Sequence, residues 1–236
     1  YVAGLEYNLT SVSRLTVEGF LKNYSQFPVS LIDGVSLANK GGGFEVLGNE
    51  AILSLGEGKT SGLEFLFQQK LAKNFYGILA YTYFSSEFSG LDGILRPSVW
   101  DSRHLISFSG GYKLRKNWEI SARWRYAGKN PYVPVDINAS TISYPEIILD
   151  YDTLGEFRLD AFNLADIRID KKWNFKNLSF NLYFEVQNFL AQPNPTPPEY
   201  GLNRNLDGTI IIPKNLVPVS NQEGNSSPLP TFGFVL

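Results

Sequence analysis

The chain has 236 residues, a formal net charge of −2, no cysteine and 14% aromatic residues. The charge balance excludes an electrostatic grip on nucleic acid or on an acidic membrane surface, and the missing thiols exclude a disulfide framework and a cysteine metal site. No run of about 18 apolar residues is present, which excludes a membrane-spanning helix but not spanning strands, whose alternation keeps mean hydropathy near that of a soluble protein.

In chain order the recurring signal is period two. Ala3, Leu5, Tyr7 and Leu9 oppose Gly4, Glu6 and Asn8. Leu15, Val17, Gly19 and Leu21 oppose Arg14, Thr16, Glu18 and Lys22, and Leu63, Phe65 and Phe67 oppose Glu64, Leu66 and Gln68. Residues 75–85 are apolar on both faces near Tyr76, Ile78 and Leu79; Phe75, Leu79, Tyr81 and Tyr83 are placed outward. His104, Ile106, Phe108, Gly110, Tyr112 and Leu114 then alternate with Leu105, Ser107, Ser109, Gly111 and Lys113. Trp118, Ile120, Ala122, Trp124 and Tyr126 oppose Glu119, Ser121, Arg123 and Arg125. Ala165, Ile167, Ile169, Lys171, Trp173 and Phe175 oppose Asp166, Arg168, Asp170, Lys172 and Asn174. Leu178, Phe180, Leu182, Phe184 and Val186 oppose Ser179, Asn181, Tyr183, Glu185 and Gln187, and a ninth, incomplete strand is expected toward Leu236. Helical spacing would scatter these sets around a cylinder, whereas a strand sorts them onto two faces.

Length and connections carry the reading further. The predicted strands have about ten to twelve residues, where soluble strands have about five or six and a tilted membrane strand needs about 9–11. Short turns at Thr10–Val12, Ala72–Asn74, Arg115–Asn117 and Lys176–Asn177 alternate with long irregular connections over 25–58, 88–102, 129–162 and 191–230. Short turns at one end and long loops at the other are the pattern of outer-membrane barrels, with the turns periplasmic. Phe75, Tyr112, Trp118, Trp173 and Phe175 lie close to the short turns on the apolar face, where they are expected to form an aromatic girdle. Lys171 on that face costs about 2–4 kcal/mol at the bilayer midplane but about 0–1 near an interface, so it and Gln69 are expected at interface level, with Lys171 snorkelling. On the other face Glu64, Lys113, Glu119, Arg123, Arg125, Asp166, Arg168, Asp170, Lys172 and Glu185 form mixed-sign rows. A dry core would not accept so many charges; a wet or plugged lumen would.

Pro97-Ser98-Val99-Trp100-Asp101-Ser102-Arg103-His104 resembles a recurrent segment of TonB-dependent receptors of the Bacteroidetes type. In the same order follow Gly111–Leu114, Lys116–Glu119, Arg125–Tyr132, Asp166–Trp173 and Tyr183–Asn188, with Glu18–Tyr24 and Gly58–Glu64 upstream. The resemblance implies an all-β, antiparallel up-and-down barrel in the bacterial outer membrane, of about 22 strands with a plugged lumen. Residues 1–236 would be the C-terminal portion of that single barrel domain, with the plug and its energy-coupling box outside the chain and the last strand short of the usual terminal aromatic. It implies energised uptake of a scarce nutrient, with the protein's own N-terminal plug, the TonB energy-coupling protein and outer-membrane lipid as partners and a surface lipoprotein as a further candidate. A passive channel or a structural barrel of a larger assembly is the alternative.

Other candidate chemistry is thin. His104, the single histidine, stands beside Asp101 and Arg103, and Ser102 and Ser107 lie near, but no elbow motif frames either serine. Hydrogen bonds that anchor a loop are therefore expected of His104, and no catalytic, cofactor-binding or metal residue is assigned. Asp150, Asp152, Glu156 and Asp160 share one loop without the order of a calcium loop, so a solvated acidic loop is expected. Gly41–Gly43 lack the strand-to-helix context of a phosphate loop. Ligand-binding residues are not legible.

Overall fold

The computed structural model describes residues 1–40, 47–219 and 226–236; Gly41–Gly43 lie outside the described residues. Its strands are β1 (Val2–Asn8), β2 (Ser13–Ser30), β3 (Ile52–Ala72), β4 (Phe75–Ser89), β5 (Leu95–Pro97), β6 (His104–Lys113) and β7 (Trp118–Ala127). Then come β8 (Pro131–Tyr132), helix α1 (Ile137–Ser143), β9 (Phe157–Arg158), β10 (Phe162–Asn174), β11 (Ser179–Gln187), β12 (Tyr200–Leu202), β13 (Leu216–Pro218) and β14 (Leu229–Val235). One antiparallel sheet runs β1-β2-β3-β4-β6-β7-β10-β11-β14, with β5 beside β4. The nine-stranded meander expected from the alternation is therefore present, with short turns at one end and long connections at the other.

The register aligns the apolar sets across the sheet. Leu5, Val17, Phe65, Tyr81, Ile106 and Tyr126 follow one another in directly opposed pairs, and Phe108 opposes Trp124, which opposes Ala165. Because opposed residues share a face, the apolar side chains form one continuous surface and Arg123, Asp166, Arg168 and Glu185 lie on the other. Phe75, Leu79, Tyr81 and Tyr83 fall on the apolar side as expected, while Tyr76 and Ile78 fall opposite.

The turn chemistry explains the closed end. Lys73 and Asn74 have φ of 48° and 71°, the doubly positive pair that a two-residue hairpin loop needs, and in the three-residue turn Arg115–Asn117 Lys116 and Asn117 also take positive φ, 59° and 58°. Beside these turns the expected girdle is level: Phe75 opposes Tyr112, Trp118 opposes Lys171, and Trp173 opposes Phe180. The Lys171 ammonium lies 5.3 Å from the Trp118 ring and 5.4 Å from the Trp173 ring, and donates to the carbonyl of Lys116 in the turn. Its charge is thus carried out of the apolar band.

A second aromatic belt, absent from the expectation, marks the other boundary. Tyr81, Tyr83 and His104 cluster with ring centroids 6.1 and 5.2 Å apart, and Trp124 Nε1 donates to Asn163 Oδ1 at 2.8 Å. His104 to Tyr112 is eight residues, about 27 Å along a strand and about 20 Å at a barrel's tilt, close to the apolar band of such barrels.

Two expectations are corrected. The connection placed over 25–58 is shorter, because β2 has 18 residues and β3 has 21. Beyond a bulge at Tyr24–Phe27, where Gln26 takes φ 56°, the two strands rise above the apolar band, and the end of β2 is buried there while Ile52–Leu55 of β3 stay exposed. Strict alternation therefore stops: Val29 and Ser30 are adjacent and both fully buried. The connections placed over 88–102, 129–162 and 191–230 are not irregular throughout, since they hold β5, then α1 with the β8–β9 pair, then the β12–β13 pair.

Candidate functional site

The inner face is a wired surface from β7 to β11. Arg123 Nε and Nη2 donate to Asp166 Oδ2 at 2.8 and 2.7 Å, and the Asn188 backbone N–H reaches Asp166 Oδ1 at 2.9 Å. Arg168 forks onto Asp170 through two 2.8 Å bonds, lies 3.7 Å from Glu185 and stacks on Tyr183 with its guanidinium carbon 3.8 Å from the ring centroid. Asn181 donates to the same Asp170 at 2.8 Å. Period two makes this possible: Arg168 and Asp170 are i, i+2 neighbours on one face, and the register sets Arg123 against Asp166. Toward the turns Tyr76 donates to Glu119 across β6. A Cβ at Gly111 would sit 2.6 Å from the Tyr76 hydroxyl, so only glycine lets that ring cross.

Above the barrel wall the loops are pinned by one carboxylate. Asp101 is completely buried; its Oδ1 accepts the Ser86 backbone N–H at 2.8 Å, and Oδ2 lies 2.8 Å from Arg158 Nη2 and 2.9 Å from Arg103 Nε. Arg158 Nη1 adds the Asp101 and Lys129 carbonyls at 2.6 and 2.8 Å. Strand β4, the connection over 90–103 and the loop over 128–161 therefore meet at this residue. A Cβ at Gly128 would approach the Ser102 carbonyl oxygen to 2.1 Å, so this close crossing also requires glycine. In the first loop Lys40 bridges Asp33 and Glu50 at 2.6 and 2.8 Å, and Asn39 donates to the carbonyls of Arg96 and Pro97. The Lys40 ammonium and the Ser30 hydroxyl hold the Glu50 carboxyl below the usual carboxylate range. The Ile94 N–H and then the Arg96 guanidinium do the same for Asp92.

The residues singled out from sequence are distributed as follows. His104 Nδ1 pairs with the Tyr81 hydroxyl at 2.9 Å within the wall, so the loop-anchoring work expected of it belongs to Asp101. No serine hydroxyl hydrogen-bonds to His104 among the described residues. Asp150 accepts the Asp152 backbone N–H at 3.2 Å and Asp160 faces Lys129 at 3.4 Å. Among the described residues no three His, Cys, Asp or Glu side chains converge as metal ligands. The Asp101–Arg158 link escaped sequence reasoning because its members are 57 residues apart. The odd signal available was an acid flanked by Trp100 and Ser102 just before a strand.

A model described as TonB dependent receptor-like, beta-barrel matches residues 1–189. No curated protein sequence matches the chain. Among solved structures it is similar to the ferripyoverdine receptor of the outer membrane of Pseudomonas aeruginosa bound to ferripyoverdine. Identity is 15% and the TM-score 0.56, over 92% of this chain and 26% of that one. It is also similar to the FpvAI–pyocin S2 complex, with 14% identity and TM-score 0.57 over 100% of this chain and 27% of that one. P. aeruginosa FpvA bound to heterologous pyoverdines gives 15% identity and TM-score 0.55, over 100% and 26%. The chain thus spans about a quarter of the length of these proteins, and at such identities the likeness is one of fold.

Proposed function

Because the chain belongs to the TonB-dependent receptor-like β-barrel family, a family of the bacterial outer membrane, we propose that it is the C-terminal part of the barrel of an energised import receptor. The observation that carries this reading is the inner face, where Arg123–Asp166 and the Arg168–Asp170–Glu185 group line the wall. Such a surface needs water or a polar body inside the barrel, since burying these charges in apolar surroundings would cost several kcal/mol per ion. A plug domain N-terminal to this chain meets that need and would carry the contact with the TonB energy-coupling protein. The apolar face and its two aromatic belts meet outer-membrane lipid. The ordered motifs from Glu18 to Asn188 favour a receptor of the Bacteroidetes type and, with it, a surface lipoprotein partner over the outer loops.

The nutrient is one that enters through the loop end. His104 is paired with Tyr81 on the lipid side of the wall and is given no catalytic role. The test is uptake or growth with the intact protein against a form lacking the upstream coupling segment. Loss of substrate entry is expected; undiminished entry would mean a passive channel.

A further inference from the structure

Three hollows in the outer region join end to end. The first, about 380 Å³, lies between the third and fourth outer loops, with Tyr132, Ile147 and Leu149 on one side and Pro197, Pro198 and Tyr200 on the other. The second, about 450 Å³, shares Tyr132 and Pro198 with it and passes Arg158 and Pro193. The third, about 380 Å³, shares Gln192, Pro193 and Asn194 with the second and ends on Arg123 and Arg125 of the inner face. Through these shared residues the hollows succeed one another as a line of groove from the loop surface to the lumen wall, and each has the volume of a small-ligand site.

Both sides of the groove are anchored, the third loop by bonds along it and the fourth at its base. On the third loop the Asp136 N–H donates to the Ile148 carbonyl at 2.8 Å, the Asp150 N–H to the Pro134 carbonyl at 2.9 Å, and Arg158 ties β9 to Asp101. On the fourth loop Asn188 Nδ2 donates to the Gln192 carbonyl at 2.9 Å and the Gln192 N–H returns to Asn188 Oδ1 at 3.1 Å. Asn188 itself is held by Asp166. Walls already ordered reduce the entropy lost on binding.

The lining selects the occupant. Pro193, Pro195, Pro197 and Pro198 have no N–H, so this stretch of wall is poor in backbone donors and rich in apolar rings, with Asn194 and Thr196 between them. The other wall adds Tyr132, Val133, Ile147 and Leu149, and Glu199 and Asp160 add carboxylate acceptors for the occupant's N–H groups away from the Arg125 end. An occupant must bring apolar groups and N–H donors of its own. At the inner end Arg123 is spent on Asp166, whereas Arg125 has no ion pair or side-chain hydrogen bond among the described residues. Its planar fork matches a carboxylate. Arg125 is exposed, so a carboxylate would gain an ion pair there that a neutral saccharide would not.

We propose that this groove binds a peptide-like carboxylate, with apolar side groups and backbone N–H donors along the proline wall and its terminal carboxylate on Arg125. The inference rests on the receptor reading and names its substrate class.

The test uses the full-length protein in detergent and fluorescently labelled apolar tetrapeptides, each as the free acid and as the C-terminal amide, with maltotetraose as a neutral probe. The acids are expected to bind about ten- to a hundredfold more tightly than the amides, the range for a hydrogen-bonded charged group. Arg125→Gln should erase that difference while amide binding persists, Arg125→Lys should leave part of it, and Tyr132→Ala should weaken both forms. Heat-modifiable migration on gels verifies that each variant is folded, and the acid-to-amide ratio of the unaltered protein needs no variant at all. Equal binding of acid and amide, no peptide binding, tighter binding of maltotetraose, or an unchanged ratio in Arg125→Gln would overturn the proposal. Coupling-dependent uptake with no peptide binding would leave the receptor reading standing and remove only the substrate class. Acid-selective binding without coupling dependence would do the reverse.

Discussion

Two regions of this wall handle charge in opposite ways. From the base of the third loop down the inner face of β7, β10 and β11, every named carboxylate has its donors: Asp101 takes two guanidinium groups and a backbone N–H, Asp166 an arginine and a backbone N–H, Asp170 an arginine and an asparagine. On the inner face of β2 and β3, Glu18 and Glu64 are directly opposed, and neither has a cation partner among the described residues. Like charges directly opposed across a ladder are unfavourable. The carboxylates of the first region are satisfied within this chain, while the opposed pair of the second has no counter-charge among the described residues.

The largest expected effect is at Asp101. Asp101→Asn keeps an acceptor for the Ser86 N–H but leaves Arg103 and Arg158 without their carboxylate. Breaking a buried pair costs about 3–5 kcal/mol. Hydrogen exchange should rise over 90–103 and 128–161, with the strands of the wall unaffected; unchanged loops would mean the hub is not what holds them. Asp166→Asn comes next, at about 2–3 kcal/mol, because Arg123 is half exposed and keeps some solvation. Its mark should be a lower unfolding midpoint together with faster exchange at Asn188. A smaller effect is expected from acid in the first loop. Glu50 is held below the usual carboxylate range when folded, so its contribution is present above about pH 4.3 and fades as pH falls below that value. Exchange over 31–40 should therefore increase from about pH 4.3 downward, and Glu50→Gln should remove that dependence.

The contrast also marks what could be read from residues alone. The faces of β6, β7, β10 and β11 were legible because each strand is wetted on one side and apolar on the other, so composition alternates with the pleat. That rule fails where loops cover both sides: Phe27-Pro28-Val29-Ser30 has no alternation, and β2 extends beyond the expected end. Helix α1 was not legible either. Its seven residues, Ile137–Ser143, carry Ser, Thr and Ile rather than strong helix formers, and the Asp136 side chain capping the Ala139 N–H helps to support it. The Asp101 hub and the groove to Arg125 are assembled from segments far apart in sequence, which periodicity does not report.

Glu64 gives the smallest effect and the sharpest one, because its sign carries the information. If the opposed carboxylates remain unpaired in the whole protein, Glu64→Gln relieves repulsion and raises stability by about 0.2–1 kcal/mol. If a cationic side chain from the plug lies between Glu18 and Glu64, the same change removes an attraction and lowers stability by a similar amount. The receptor reading favours the second outcome, since an exposed pair of like charges on a wall facing a polar plug would be a natural docking point. The measurement is the unfolding midpoint of the intact protein carrying Glu64→Gln, beside Glu18→Gln as its opposed partner. Both should fall by about 0.5 kcal/mol, and by less at high salt, where an ion pair partly open to water is screened. A rise in both would show that repulsion alone acts there, and the proposed plug would then have to dock elsewhere on the wall.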